Sequence, residues 1–203
     1  MVTLAEGRAD VFADPAKERF GTSANVITLV RTVLTLVLAG LAAQQHDLTL
    51  LVSSLAVYWV GDILDGTVAR LRDCETRIGA TLDILCDRVS AAGFYFGLAW
   101  LMPALVWPIL VYLTEFMVVD CFLSLAFLAW AIRSPNYFYV VDRPLWLWNW
   151  SKPGKAVNSS IFAVLLLVTE SVVVGLVVAS ALLVLKTVSL VRLMRLGLPV
   201  PSP

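Results

Sequence analysis

Imidazole and thiol ligands are scarce in this 203-residue chain: one histidine, His46, and three cysteines, Cys74, Cys86 and Cys121. His46 sits in a short polar turn, so histidine-based catalysis is not expected. The cysteines are odd in number and lack metal-like spacing, which argues against a zinc site or a disulfide framework and marks them as reduced, packed thiols. Charge is sparse too. Asp, Glu, Lys and Arg make up 15% of residues and cancel to zero, and no nucleic-acid partner is expected. The N-terminus lacks the early basic cluster and apolar core of a cleaved signal peptide. No long repeat or low-complexity run appears beyond valine- and leucine-rich stretches.

Apolar residues dominate instead, at 60% of the chain with a mean hydropathy of +0.86. A soluble domain holds nearer half, so the expected fold is an all-α integral membrane protein. Six apolar segments, compared with the ~20 residues a bilayer core requires, fall near 25–43, 48–70, 77–101, 104–132, 153–169 and 171–195. The run from Ile161 to Leu185 is nearly continuous, so the boundary around Thr169–Ser171 leaves five or seven spans open. The reading divides the chain into a juxtamembrane amphipathic segment (1–22), a six-helix domain (23–196) and a tail (197–203). Phe12, Ala16 and Phe20 at i, i+4 spacing predict an interfacial helix in the first part.

Basic residues orient the spans. Arg8, Lys17, Arg19, Arg70, Arg72, Arg77, Arg133, Arg143, Lys152, Lys155, Arg192 and Arg195 flank one side, while the opposite connections (Gln44–Asp47, Met102–Pro103, Glu170) have no Lys or Arg. By the positive-inside rule both termini are cytosolic. The aromatic connection 134–151 is expected at headgroup level, as an anchor or as a lid over a site.

Against this apolar background the charges within the spans need an explanation. Asp62 and Asp65 share one helical face with Gly66 and Ala69, and Gly79, Asp83 and Asp87 form a stripe on the next helix. A short connection forces these helices antiparallel, so the four carboxylates meet in one layer about 7–15 Å below the cytosolic ends. Each costs about 2.5–3.5 kcal/mol at a helix centre unless neutralised. All-oxygen ligation suits Mg²⁺, Mn²⁺ or Ca²⁺, and two such ions ~3.5–4 Å apart clamp the attacking and leaving oxygens of a displacement at phosphorus. Gly66 and Gly79 on these faces allow close approach to the backbone, by a ligand or by a neighbouring helix. Gly93 and Gly97 read as a packing pair.

Other buried charges divide between roles. For Arg88 an ion pair with Asp120 is expected over a substrate contact. Arg31 and Lys186 are candidates for anionic substrate oxygens, with structural pairing the alternative. Glu115 and Glu170 are expected to be solvated near the outer face.

Residues 62–87 read D-x-x-D-G-x-x-A-R, eight residues, G-x-x-x-D-x-x-x-D. That pattern resembles the CDP-alcohol phosphotransferases at every fixed position: Asp62, Asp65, Gly66, Ala69, Arg70, Gly79, Asp83 and Asp87. The resemblance implies transfer of a phosphatidyl group from CDP-diacylglycerol to a small polar alcohol, with release of CMP, by a homodimer using two Mg²⁺ or Mn²⁺ ions. It implies that Asp62, Asp65, Asp83 and Asp87 hold the ions, that Asp87 also acts as base, and that Gly66, Ala69, Arg70 and Gly79 border the CDP. Arg88 after the last aspartate is similar to the inositol-using branch, whereas Asn25, Thr28, Arg31 and Gly154-Lys155 are also similar to glycerol 3-phosphate enzymes. The acceptor reading leans to inositol or its phosphate, held by Arg31, Lys152, Lys155 and Lys186, though these could equally hold the donor pyrophosphate. Two rivals stand beside it. One is an intramembrane cation transporter, which needs polar residues continuing to the outer face. The other is a non-catalytic assembly partner, which the intact aspartates argue against.

Overall fold

In the computed structural model, which describes residues 11–199, the chain is a helical bundle. Its long elements are α1 (Ser23–Gln45), α2 (Leu48–Leu71), α3 (Arg77–Leu101), the broken rod α4 (Pro103–Ala129), the short α5 (Arg143–Asn149), α6 (Lys152–Thr169) and α7 (Val172–Leu196). Five of these, α1 to α4 and α7, are long and apolar enough to cross a membrane; α6, at 18 residues, does not join them on composition.

Local chemistry sets the breaks. Thr22, Asp47, Thr76, Ser151 and Ser171 each cap the helix that follows by accepting a backbone N–H, satisfying donors a helix start leaves orphaned. Thr76 Oγ1, for example, accepts from Gly79 N at 2.9 Å. Left-handed residues end the preceding helices, His46 at φ 52° and Glu170 at φ 47°. The latter places the uncertain boundary between the last two helices at Thr169–Ser171.

The bundle reverses the usual burial pattern. Large apolar residues such as Val33, Ile63, Trp100, Val177 and Val184 are exposed, whereas Arg31, Asp65, Arg88, Glu115, Asp120 and Lys186 are buried. Hydrocarbon outside and charge inside is the arrangement lipid favours. Along three helices the polar residues separate two apolar clusters. On α3 Ile84 lies on one side of Asp87-Arg88 and Phe94 on the other; on α4 Tyr112 and Leu123 flank Glu115–Asp120; on α7 Leu182 and Leu193 flank Lys186. Gly93 and Gly97 let α3 sit tightly against its neighbours: a Cβ there would come within 2.7 Å of Leu36 and Leu51 respectively, so packing is their role.

Two expectations change. The N-terminal amphipathic helix falls partly on residues 1–10, outside the described residues, and residues 11–22 form one 3-10 turn, Pro15–Lys17, rather than an α-helix. Here the backbone is spent elsewhere: Ala13 N bonds Ala131 O at 2.8 Å and Arg133 N bonds Val11 O at 3.1 Å, with Phe12 bridged to Ile132. Glu115 is not solvated near the outer face but only 1% exposed. It opens a π-helical turn, Glu115–Asp120, that carries both carboxylates inward.

Candidate active site

The four motif aspartates converge on one guanidinium. Arg31, on α1, donates from Nε to Asp65 Oδ2 at 2.8 Å and from Nη2 to Asp83 Oδ1 at 2.5 Å and Asp87 Oδ1 at 2.9 Å; Asp62 Oδ1 lies 3.6 Å from the same Nη2. Thr28, one turn earlier, donates to Asp65 Oδ2 at 2.8 Å. The layer expected from helix spacing therefore forms, with α1 as a third contributor. A cation at this point offsets a repulsion that four neighbouring carboxylates in low dielectric would otherwise carry.

Gly61 makes room for that arginine. A Cβ at residue 61 would come within 2.6 Å of Arg31 Cβ and 2.5 Å of its Cδ. Gly79 faces Asn25, whose Oδ1 would lie 2.8 Å from an added Cβ, and Gly66 faces the Arg70 guanidinium. Gly61 lies outside the motif, and only its place one residue before Asp62 hinted at a role.

Carboxylate oxygens of Asp62, Asp83 and Asp87 lie within 4.8 Å of one another. Three hard oxygen donors at that separation, already attracting a guanidinium, fit a divalent cation of the Mg²⁺ type. Asp65 is committed to Thr28 and Arg31 in this arrangement and stands just outside the trio.

A cavity of about 210 Å³ opens above and beside the aspartates. Asp62, Asp65, Asp83 and Asp87 line it with Gly66, Ala69, Arg70 and Gly79, which gathers every motif position on one wall. Lys155 and Lys186 reach the wall as well. Lys152 does not line the cavity and is exposed at the start of α6. Lys186 Nζ pairs with Asp120 Oδ1 at 2.6 Å and donates to Asn149 Oδ1 at 2.9 Å. Arg88 Nη2 pairs with Asp120 Oδ2 at 2.5 Å, as its sequence context predicted, and stacks 3.8 Å from the Phe116 ring centre.

The mouth is tied by polar contacts between segments. Glu75 accepts from Tyr137 Oη at 2.7 Å and from Ser134 Oγ at 3.1 Å, joining the α2–α3 turn to the aromatic connection. Burial and then the Glu75 hydrogen bond push the Tyr137 phenol above its ordinary value. Asp73 pairs with Lys17, whose hydrogen bond holds that carboxyl below the usual range. Glu18 accepts from Arg77 N and Ile78 N at 2.8 and 3.1 Å, placing negative charge at the start of α3. The aromatic connection is itself packed inward. Phe138 and Trp150 are buried, and Ser134, Pro135 and Asn136 line the cavity, so this segment forms part of its wall.

A membrane-type helical bundle with clustered carboxylates lining one cavity narrows the class of protein this is. The chain belongs to the CDP-alcohol phosphatidyltransferase family, whose profile matches residues 21–191. Within that family it is similar to phosphatidylinositol phosphate synthase of Corynebacterium glutamicum, 30% identical over 95 residues that cover 45% of this chain and 43% of the relative. The Mycobacterium tuberculosis protein of the same description is 38% identical over 85 residues, covering 40% and 38%. That of Mycobacteroides abscessus is 51% identical over 39 residues. These alignments span less than half the length of the relatives. No solved structure matches the chain.

Proposed function

We propose that the protein transfers a phosphatidyl group from CDP-diacylglycerol to a hydroxyl of inositol or its phosphate, releasing CMP. The observation that carries this reading is that Asp62, Asp65, Asp83 and Asp87 all line one cavity and converge within reach of a single buried guanidinium, that of Arg31. Family membership and relatives described as phosphatidylinositol phosphate synthases support the donor and the acceptor class.

Asp62, Asp83 and Asp87, with Asp65 beside them, would hold Mg²⁺ or Mn²⁺. Such ions supply charge stabilisation on a pyrophosphate and make CMP a better leaving group. Gly66, Ala69, Arg70 and Gly79 border the CDP moiety. Asp87 takes the proton of the acceptor hydroxyl as its oxygen attacks the lipid-bearing phosphorus, and the bond to the CMP oxygen breaks. General-base help of this kind is worth about 10²–10⁴-fold. Lys155 and Lys186 on the cavity wall attract a phosphorylated acceptor, with Arg31 holding the carboxylates in register. With α6 counted as a sixth span, the distribution of basic residues supports cytosolic termini and a cytosolic cavity mouth, the acceptor entering from water while the acyl chains stay in lipid. A homodimer is carried by the family resemblance alone.

The runner-up acceptor is glycerol 3-phosphate, favoured by Asn25, Thr28 and Arg31. Purified protein incubated with CDP-diacylglycerol, Mg²⁺ or Mn²⁺ and, in turn, inositol, inositol phosphate and glycerol 3-phosphate should release CMP fastest with inositol or its phosphate. Faster release with glycerol 3-phosphate would transfer the assignment to that acceptor.

A further inference from the structure

The cavity wall extends past the aspartates to Glu115, Phe116 and Asp120 on α4. Glu115 is 1% exposed and its Oε1 has no hydrogen-bond partner. Its neighbours are occupied: Asp120 by Arg88 and Lys186, and Asn149 by Lys186, Ser189 and the Leu145 carbonyl. A carboxyl inside a membrane bundle without a partner is costly, which makes a structural role a poor explanation for it.

The backbone shows that Glu115 is turned inward by a specific device. On an α-helix, residues 115 and 120 would stand about 140° apart at 3.6 residues per turn, with one of them facing lipid. The π turn Glu115–Asp120 widens the helix and brings both to the cavity side. Beside it, Arg88 Nε is a second buried polar atom without a partner on the same wall. Among the described residues that line the cavity, four buried polar atoms lack a partner: Glu115 Oε1 and Arg88 Nε, neighbours outside the aspartate motif, and Trp59 Nε1 and Asn158 Oδ1.

We propose that Glu115 is the specificity residue of an inner acceptor subsite, accepting hydrogen bonds from the hydroxyls of a ring polyol while Arg88 Nε donates to a neighbouring oxygen. The inference rests on the transfer reading above. With the reacting hydroxyl at Asp87 and a phosphate drawn towards Lys155, a six-membered polyol turns its remaining hydroxyls to this inner wall. A three-carbon acceptor has a single spare hydroxyl and gains far less there.

The test is CMP release by wild type, Glu115→Gln, Glu115→Ala and Glu115→Leu at varied inositol 1-phosphate and varied glycerol 3-phosphate, with thermal unfolding of each protein in detergent. Glu115→Leu should raise the KM for inositol phosphate about tenfold relative to that for glycerol 3-phosphate, with a smaller effect on kcat. Glu115→Gln, which keeps an accepting oxygen, should recover most of the difference, and Glu115→Ala, which removes the carboxyl without added bulk, carries the test should the leucine variant not fold. Equal KM changes for both acceptors, or none, in the leucine or alanine variant would overturn the assignment of Glu115. Wild-type protein that releases no CMP with any alcohol would instead overturn the transfer reading itself.

Discussion

Arg31 is the residue on which the local electrostatics turn. Its side chain is 2% exposed and bonded to three aspartates with a fourth in ion-pair range. Removing one partner of a buried ion pair costs about 3–5 kcal/mol, because the charge left behind stays buried. Arg31→Met should therefore unfold at a clearly lower temperature than wild type in EDTA, and Mg²⁺ should restore more of its midpoint than it adds to wild type. Unchanged midpoints in EDTA would remove Arg31 from this role. The sequence placed Arg31 at the right depth but left its partner open, since depth along one helix does not say which neighbour it faces. The aspartates were legible because i, i+3 and i, i+4 spacing fixes a shared face before any fold is known. Glu115 was misread for a related reason: its position along the span put it nearer the outer face, and depth alone does not show that a π turn draws it into the bundle.

Among the elements, α5 is held to α7 through the Asn149 bonds to Lys186 and Ser189 and through one carboxylate at its start. Asp142 caps α5 by accepting from Leu145 N at 2.8 Å, and it receives Arg192 Nε and Nη2 at 3.0 and 2.9 Å. Burial pushes this carboxyl up, but the Arg192 and Leu145 hydrogen bonds outweigh it and hold it below the usual carboxylate range. A lowered folded pKa means the contribution is complete above the unfolded value of about 3.9 and is lost as pH falls through the folded one. Asp142→Ala should cost about 1–2 kcal/mol at pH 7 from the lost cap and charged bonds. Melting curves of the two proteins should begin to converge below about pH 4 and meet once pH has passed the lowered folded value, and a gap that does not narrow on the way down would show that the carboxylate charge is not what matters. Helix existence was legible at this scale, because apolar runs of roughly bilayer length read directly from hydropathy. The π turn and the inward-packed aromatic connection were not. The first is a register change with no composition signal, and the second buries Phe138 and Trp150, residues that composition alone assigns to a headgroup layer.

The molecule as a whole is a polar layer set between two apolar clusters and surrounded by lipid-facing side chains. Membrane class and the antiparallel pairing of α2 and α3 followed from hydropathy and a short connection. The path of residues 11–22 did not, since it depends on backbone pairing with residues 131–133, more than a hundred positions away. On the proposed transfer reading, these scales are united by a carboxylate layer that serves chemistry on a nucleotide-linked lipid. The direct test is CMP release from CDP-diacylglycerol by wild type and Asp87→Asn in Mn²⁺, with Mn²⁺ binding measured on both. On that reading wild type turns over and the variant loses about 10²-fold or more at saturating Mn²⁺, which Asp62, Asp65 and Asp83 still bind with lower affinity. Near-normal turnover in Asp87→Asn would contradict it.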